Sequence, residues 1–297
     1  GFISISAGDS GSDELTALEA YQNFMSIFAR EAIQIYFMDP DPAQNSQIQT
    51  LRKTGTRSPK AVQAFGSNDV FYLSDSGVRS LRARDSSNAA YVNDVGTAID
   101  DPLLEYLATL TDTQIENAVA VLEPNSDRYW LAVGERVWVF SYFPGGKISA
   151  WSWYEPGFEI SDFTRSNSRL YARAGDTIYL YGGEDNATYP AAGEVTLEAS
   201  LPFLTANKPG TRKNFEGFDL ACEGTWLVEF LVDPKADAEG ERIALEIGTF
   251  HGTTYYDLRE AGLGDFTHVA VELTSTAGGY QSISNLCIHY EGENEDG

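Results

Sequence analysis

The chain has 297 residues, 42% hydrophobic and 12% aromatic, which is enough for a globular core and for one large β domain or two medium ones. Its formal net charge of −24 opposes a nucleic-acid backbone, so stable DNA binding driven by counterion release is excluded as a default. No run of 18 apolar residues occurs and the first residues lack the layout of a signal peptide, so a soluble chain without stable membrane insertion is expected.

In chain order, Gly1 opens without a methionine on the strand-like "FISIS", as expected of a processed product or a segment of a longer polypeptide. "AGDSGSD" at Ala7 to Asp13 is similar to the nucleophile loop of chymotrypsin-like proteases. That family places its histidine before the serine, whereas His251, His268 and His289 all follow, so a flexible loop is expected. In "DELTALEAYQNFMSIFAREAIQIYFM", Leu15, Leu18, Tyr21, Met25 and Phe28 recur at helical spacing, but Ile33, Ile35 and Phe37 alternate. Strands are expected from about Tyr21 onward, ended by the turn residues of "MDPDPAQN".

Three later stretches share one layout. "VFYLSDSGVRSL", "RYWLAVGERVWVF" and "RLYARAGDTIYLY" each place aromatic and aliphatic residues around a glycine and then alternate, the pattern of β-hairpins with turns at Gly77, Gly134 and Gly175. The intervals suit propeller blades of roughly 40–50 residues with one insertion. That insertion, about residues 100–118, reads as a helix: Asp101 caps, Pro102 takes the first helical position, and Leu103, Leu107 and Leu110 form a stripe. Trp130, Trp138, Trp151 and Trp153 alternate with apolar neighbours, and some of them are expected to anchor contacts between blades. After residues 1–184, a second region, 185–297, holds strands such as "TWLVEFLVD" and "THVAVEL" between polar turns, the signature of an antiparallel sandwich followed by an acidic tail. The fold class expected is therefore mainly β: propeller-like blades with a helical insertion, then a sandwich-like region.

No motif for chemistry stands out. The pairs Asp39 with Asp41, Asp100 with Asp101 and Glu184 with Asp185 lack a calcium-loop frame, and the histidines lack zinc spacing. Asn186 begins a glycosylation sequon. Cys222 and Cys287, far apart, read as buried free thiols. No catalytic residue, metal or cofactor is expected. Between Arg52 and Arg84 the basic residues Arg52, Lys53, Arg57, Lys60, Arg79, Arg82 and Arg84 outnumber the acids Asp69 and Asp75, in contrast to the rest of the chain. Two readings stand side by side: a solvated strand edge guarded by charge, and an interface between copies. If the strand after Gly77 runs on, Arg82 and Arg84 share one displayed face with Ser80, opposite Leu81 and Ala83. Arg82 and Arg84, with Arg79 or Lys60, are then the expected subunit contact.

"DVFYLSDSGVRSLRARDSSNAAYVNDVGTAID", "VLEPNSDRYWLAVGERVWVFSYFPGGKISAWSWYEPGF", "ARAGDTIYLYGG" and "LPFLTANKPGTRKNFEGFDLACEGTW" carry a resemblance that spans nearly the whole chain. The chain resembles the tail nozzle family, or tail tubular protein B, of short-tailed bacteriophages, whose members are usually much longer. The resemblance implies a non-enzymatic virion protein of the phage tail, assembled in the host cytoplasm. It implies a propeller-based subunit of a hexameric ring below the portal and adaptor, bearing tail fibres, through which DNA passes without specific binding. Two other classes stay open. A carbohydrate-binding sandwich needs exposed aromatics such as Trp226, Tyr255 or Tyr256 beside polar groups, and a glycoside-degrading propeller needs two carboxylates in a cleft.

Overall fold

The structure, a computed structural model, describes residues 14–87, 94–143, 148–185, 187–191, 193–233, 241–247, 250–257 and 265–292. Two compact units divide the chain, Gly1–Tyr181 and Gly182–Gly297.

The first unit is a succession of antiparallel meanders. β1 (Leu15–Tyr21), β2 (Phe24–Ala29), β3 (Ala32–Phe37) and β4 (Ser46–Arg52) form one sheet in chain order. β5 (Gln63–Phe65), β6 (Asp69–Ser74) and β7 (Gly77–Ser80) form the second. Three short helices follow, α1 (Leu81–Ser87), α2 (Asp100–Leu107) and α3 (Asp112–Glu116). β8 (Val119–Leu122), β9 (Tyr129–Val133), β10 (Arg136–Phe143) and β11 (Ile148–Tyr154) make the third sheet, and β12 (Asp162–Ser166), β13 (Arg169–Ala174) and β14 (Thr177–Leu180) the fourth.

Because side chains alternate along a strand, a sheet apolar at every position is buried on both faces. The two middle sheets follow this rule. On β6, Val70 and Tyr72 enter a core with Phe28 and Ile33 of the first sheet, while Phe71 and Leu73 enter a second core with Leu131 and Trp138 of the third. On the third sheet Trp130, Val137 and Val139 turn the other way, into a core with Leu170 of the fourth. Edge-to-face rings mark each layer: Phe28 with Tyr72 at 5.2 Å, Phe71 with Tyr129 at 5.4 Å, and Trp130 with Phe163 at 6.3 Å. The sheets thus stack in sequence order, each junction holding its own core. Among the described residues they close neither a barrel nor a ring of blades.

The second unit has two antiparallel sheets. β15 (Glu198–Leu204), β16 (Lys213–Glu223), β17 (Trp226–Val232), β18 (Glu241–Ile247), β19 (Phe250–Asp257), β20 (Asp265–Phe266), β21 (Val269–Ser275) and β22 (Ser282–Gly292) follow in order. β15, β21, β17 and β18 form one sheet, and β16 pairs with β19, β20 and β22 in the other. β17 buries Trp226, Val228, Phe230 and Val232 alternately, and Phe215 and Phe218 of β16 meet Phe230 at 4.9 and 4.8 Å. One apolar core therefore serves both sheets. The chain as a whole is mainly β.

Several expectations need correction. Residues 15–21, helical in spacing, form a strand paired antiparallel with β2, Tyr21 opposite Phe24 and Leu18 opposite Ile27, which buries Tyr21 and leaves Leu15 and Leu18 exposed. Gly134 and Gly175 do occupy their hairpin turns with positive φ, 57° and 56°. Gly77 does not: Asp75 and Ser76 make the turn, and Gly77, at φ 115°, opens β7. The strand stops at Ser80, whose hydroxyl accepts the N–H of Ala83 at 3.1 Å while Asp69 accepts that of Arg82 at 3.0 Å. These acceptors satisfy the first turn of α1, so Leu81 to Arg84 are helical and the expected strand alternation fails. α2 begins at Asp100, with Ile99 at the cap and Pro102 third in the helix rather than first. A separate α3 is capped by Thr111, whose hydroxyl accepts the Gln114 N–H at 3.3 Å while Gln114 accepts that of Thr111 at 3.0 Å. "FISIS", "AGDSGSD", Asn186 and residues 293–297 lie outside the described residues.

Candidate functional site

Four cations of the basic strip, Arg57, Lys60, Arg79 and Arg84, meet carboxylates of their own chain. Arg79, on β7, points into the protein and is 6% exposed. Its guanidinium grips Asp100 at the start of α2 with two hydrogen bonds, 2.7 and 3.1 Å, and donates to Ser76 Oγ at 3.1 Å and Val78 O at 2.9 Å. Gly77 is glycine for this reason as well as for its φ, since a Cβ there would strike the Asp100 carboxylate. At the other end of α2, the Tyr106 hydroxyl accepts the Glu135 N–H at 3.0 Å, and a Cβ on Gly134 would lie 2.6 Å from it. α2 therefore lies across two successive hairpins, and a glycine of each, Gly77 at the start of β7 and Gly134 in the β9–β10 turn, admits it. Gly175 has no such neighbour.

The remaining arginines add further clamps. Arg57 reaches Asp75 in the β6–β7 turn at 3.1 Å and Asp112 of α3 at 2.6 Å. Arg84 donates to Asp94 at 3.1 Å, and the Asp94 carboxylate, nearly buried, also accepts the Ser80 and Val95 N–H groups. Lys60 meets Asp162 of β12 at 2.9 Å on the surface. Of the four residues expected at a subunit contact, Arg79 is buried, and Arg84 is held by Asp94 of its own chain, which corrects the expectation that Arg82 and Arg84 are displayed as a pair. Arg82 is exposed and Lys60 half-exposed. Sequence spacing had no means of finding Asp100 and Asp94, which lie on the far side of the insertion.

Of the acidic pairs, Asp100 serves Arg79, while Asp39, Asp41 and Asp185 serve the backbone. Asp39 accepts the Asp41 N–H at 2.8 Å, Asp41 that of Ala43 at 3.0 Å, and Asp185 that of Ala187 at 3.0 Å. No group of three His, Cys, Asp or Glu residues suited to a metal occurs among the described residues. A cavity of about 210 Å³ is floored by Leu73, Leu104, Leu107 and Ile115, with the Arg57–Asp75 ion pair at its rim. Asp75 is its one lining carboxylate among the described residues. Cys222 is a buried free thiol, its pKa raised by burial, whereas Cys287 is a free thiol on the surface, which corrects the expectation that both are buried.

Of the tryptophans, Trp138 and Trp130 are buried on opposite faces of the third sheet, Trp151 donates to Val95 O at 2.8 Å, and Trp153 is half-exposed. Of the aromatics expected at a sugar site, Trp226 is buried and Tyr256 stacks on Phe218 at 5.0 Å. Tyr255 alone of the three is exposed, on the outer face of the β19–β16–β22 sheet. There its ring meets His289 edge-on at 5.5 Å, and the His289 Nε2 shares a 2.7 Å hydrogen bond with Asp219.

No family model matches the chain, and no curated protein matches it.

Proposed function

We propose that the chain is a structural subunit of a phage tail nozzle, with its four meander sheets as blades of a β-propeller and copies assembled into a hexameric ring around a genome channel. The observation that supports this reading is the stacking: each sheet is a meander in chain order, and the middle two are apolar on both faces, each face committed to a different neighbour. That is the packing logic of blades. The long strings that resemble the nozzle family run through these sheets and into the second unit. The charge fits the role. A channel lined by copies of a −24 chain repels phosphates and so lets DNA slide without trapping it. In this reading α2, clamped across two hairpins, fixes the angle between two blades, and the partners are the ring neighbours, the portal and adaptor above, and tail fibres.

Negative-stain imaging and native mass spectrometry of the purified protein test the reading. Rings of six copies with a central channel are expected. A monomer at every concentration, or an open filament, overturns it.

A further inference from the structure

The outer face of the β19–β16–β22 sheet carries a cluster of polar and aromatic side chains. The register aligns Tyr255, Asp219 and Cys287 in one row across three strands, with Asp257, Gly217 and His289 in the adjacent row on the same face. At the centre is Gly217. A Cβ there would lie 2.8 Å from the Tyr255 hydroxyl and 2.9 Å from its Cζ, so the tyrosine leans across β16 with its tip over the glycine. Its hydroxyl reaches Glu216 O at 3.4 Å. A ring laid over a strand offers the side away from the sheet, and Tyr255 is 46% exposed. Beside it, Asp219 and His289 pair at 2.7 Å while remaining partly open, at 27% and 36% side-chain exposure.

We propose that this face is a binding site for a neutral sugar ring, with Tyr255 as the stacking platform and the Asp219–His289 pair as the hydrogen-bonding edge. An apolar ring face flanked by a few fixed polar groups is how concave and shallow ligand sites set orientation, and a pyranose offers a C–H face and a rim of hydroxyls. The Asp219 carboxylate has acceptor capacity beyond the single bond to His289, which suits hydroxyl donors. Asp257 in the adjacent row adds negative character, so acidic sugars and phosphates are disfavoured by like charge. The buried neighbour shows the contrast: Tyr256, one residue on and facing inward, spends its ring on Phe218. The proposal is independent of the ring reading, and a monomer can satisfy it.

The test is a glycan array of neutral and acidic oligosaccharides with the full chain, followed by saturation-transfer NMR on neutral glycans retained. Neutral glycans are expected to bind. Tyr255→Ala and Asp219→Ala should each weaken binding about tenfold or more, Tyr255→Phe should keep most of it, and Tyr290→Ala, another exposed tyrosine of β22, should change nothing. A location test needs no variant. Cys287 is exposed, Cys222 is buried, and Cys287 pairs with Asp219 in the register, so a nitroxide on Cys287 should broaden the signals of the bound sugar. Absence of neutral-glycan binding, preference for acidic glycans, unchanged binding by Tyr255→Ala, or binding without nitroxide broadening overturns the proposal. Ring formation unaltered in Tyr255→Ala separates this result from the assembly.

Discussion

Each unit of the molecule buries a cation, and the two do so by different means. Arg79 in the first unit is 6% exposed and meets a carboxylate, Asp100, through two hydrogen bonds. Lys213 in the second is 2% exposed and meets backbone instead, donating to the carbonyls of Lys208 at 2.8 Å, Thr211 at 2.8 Å and Thr267 at 3.1 Å. The difference follows from shape. A planar guanidinium fits a carboxylate edge to edge and links two distant segments, whereas a compact ammonium with three donors sits in a cage of carbonyls. Arg79 therefore fastens an insertion to a hairpin, and Lys213 gathers two loops around the start of β16.

The largest effect should come from removing the carboxylate. Asp100→Ala strands a buried guanidinium and should cost about 3–5 kcal/mol. Arg79→Met with Asp100→Leu should recover most of this, because no buried charge remains. Urea unfolding followed by tryptophan fluorescence reads the first unit well, since Trp130, Trp138, Trp151 and Trp153 lie in it and Trp226 in the second. A double variant no more stable than Asp100→Ala would show that the ion pair contributes more than the desolvation of its two charges costs.

Lys213→Met should cost less, about 2–3 kcal/mol, since it leaves carbonyls without a donor but no unpaired charge. Hydrogen exchange should accelerate in β16 and β17 and stay unchanged in the first unit. Acceleration across both units would mean that the cage supports more than its own sheet.

Acid sharpens the contrast through two aspartates. Burial raises the Asp69 pKa above its ordinary 3.8, although Ser80 Oγ and the N–H groups of Arg82 and Val70 pull it down. Its folded state holds the proton more tightly than the unfolded one. The associated stability is present below the unfolded value and is lost as pH rises through the folded pKa. Asp233 behaves oppositely: burial pushes its pKa up, but the Thr267 hydroxyl and N–H, both at 2.7 Å, and the His268 N–H at 3.0 Å outweigh it and set the carboxyl below 3.8. Its contribution is present above the unfolded value and lost as pH falls through the folded pKa. Asp233→Asn should therefore flatten the acid-side loss of stability in the second unit. Asp69→Asn should remove the loss in the first unit as pH rises through the window just above 3.8. Both are measured by unfolding at a series of pH values.

What was legible in the sequence was whatever repeats locally. Alternation placed β6, β9, β10, β13 and β17, the Gly134 and Gly175 turns stood out, and Leu103 and Leu107 marked the buried stripe of α2. What was hidden depends on partners distant in the chain. The helix α1 follows an apparent strand alternation because Asp69, on the neighbouring strand, accepts one of its N–H groups. Gly77 looked like a turn residue and proves to be clearance for Asp100. The signal that was available for α1 is Ser80 at its N-terminus, followed by the good helix formers Leu81, Arg82, Ala83 and Arg84.

The smallest effects come from the two arginines of α1, and they test the proposed interface between copies. Arg84→Ala takes the cation from the nearly buried Asp94 carboxylate, which keeps its two N–H donors, so about 1–2 kcal/mol of stability should go. Arg82 is exposed, and Arg82→Glu should shift stability by no more than about 0.5 kcal/mol. This separates two meanings of a lost ring. If Arg84→Ala weakens assembly, it does so together with thermal stability, because the residue holds α1 in place. If Arg82→Glu abolishes rings in native mass spectrometry while the melting curve stays where it was, the loss belongs to the contact between copies. Such a contact is worth only about 0–1 kcal/mol singly, but a ring repeats it at each junction and salt screens it. Assembly by Arg82→Glu equal to that of the unaltered protein, at low and high salt alike, leaves Arg82 a solvated residue and removes it from the interface.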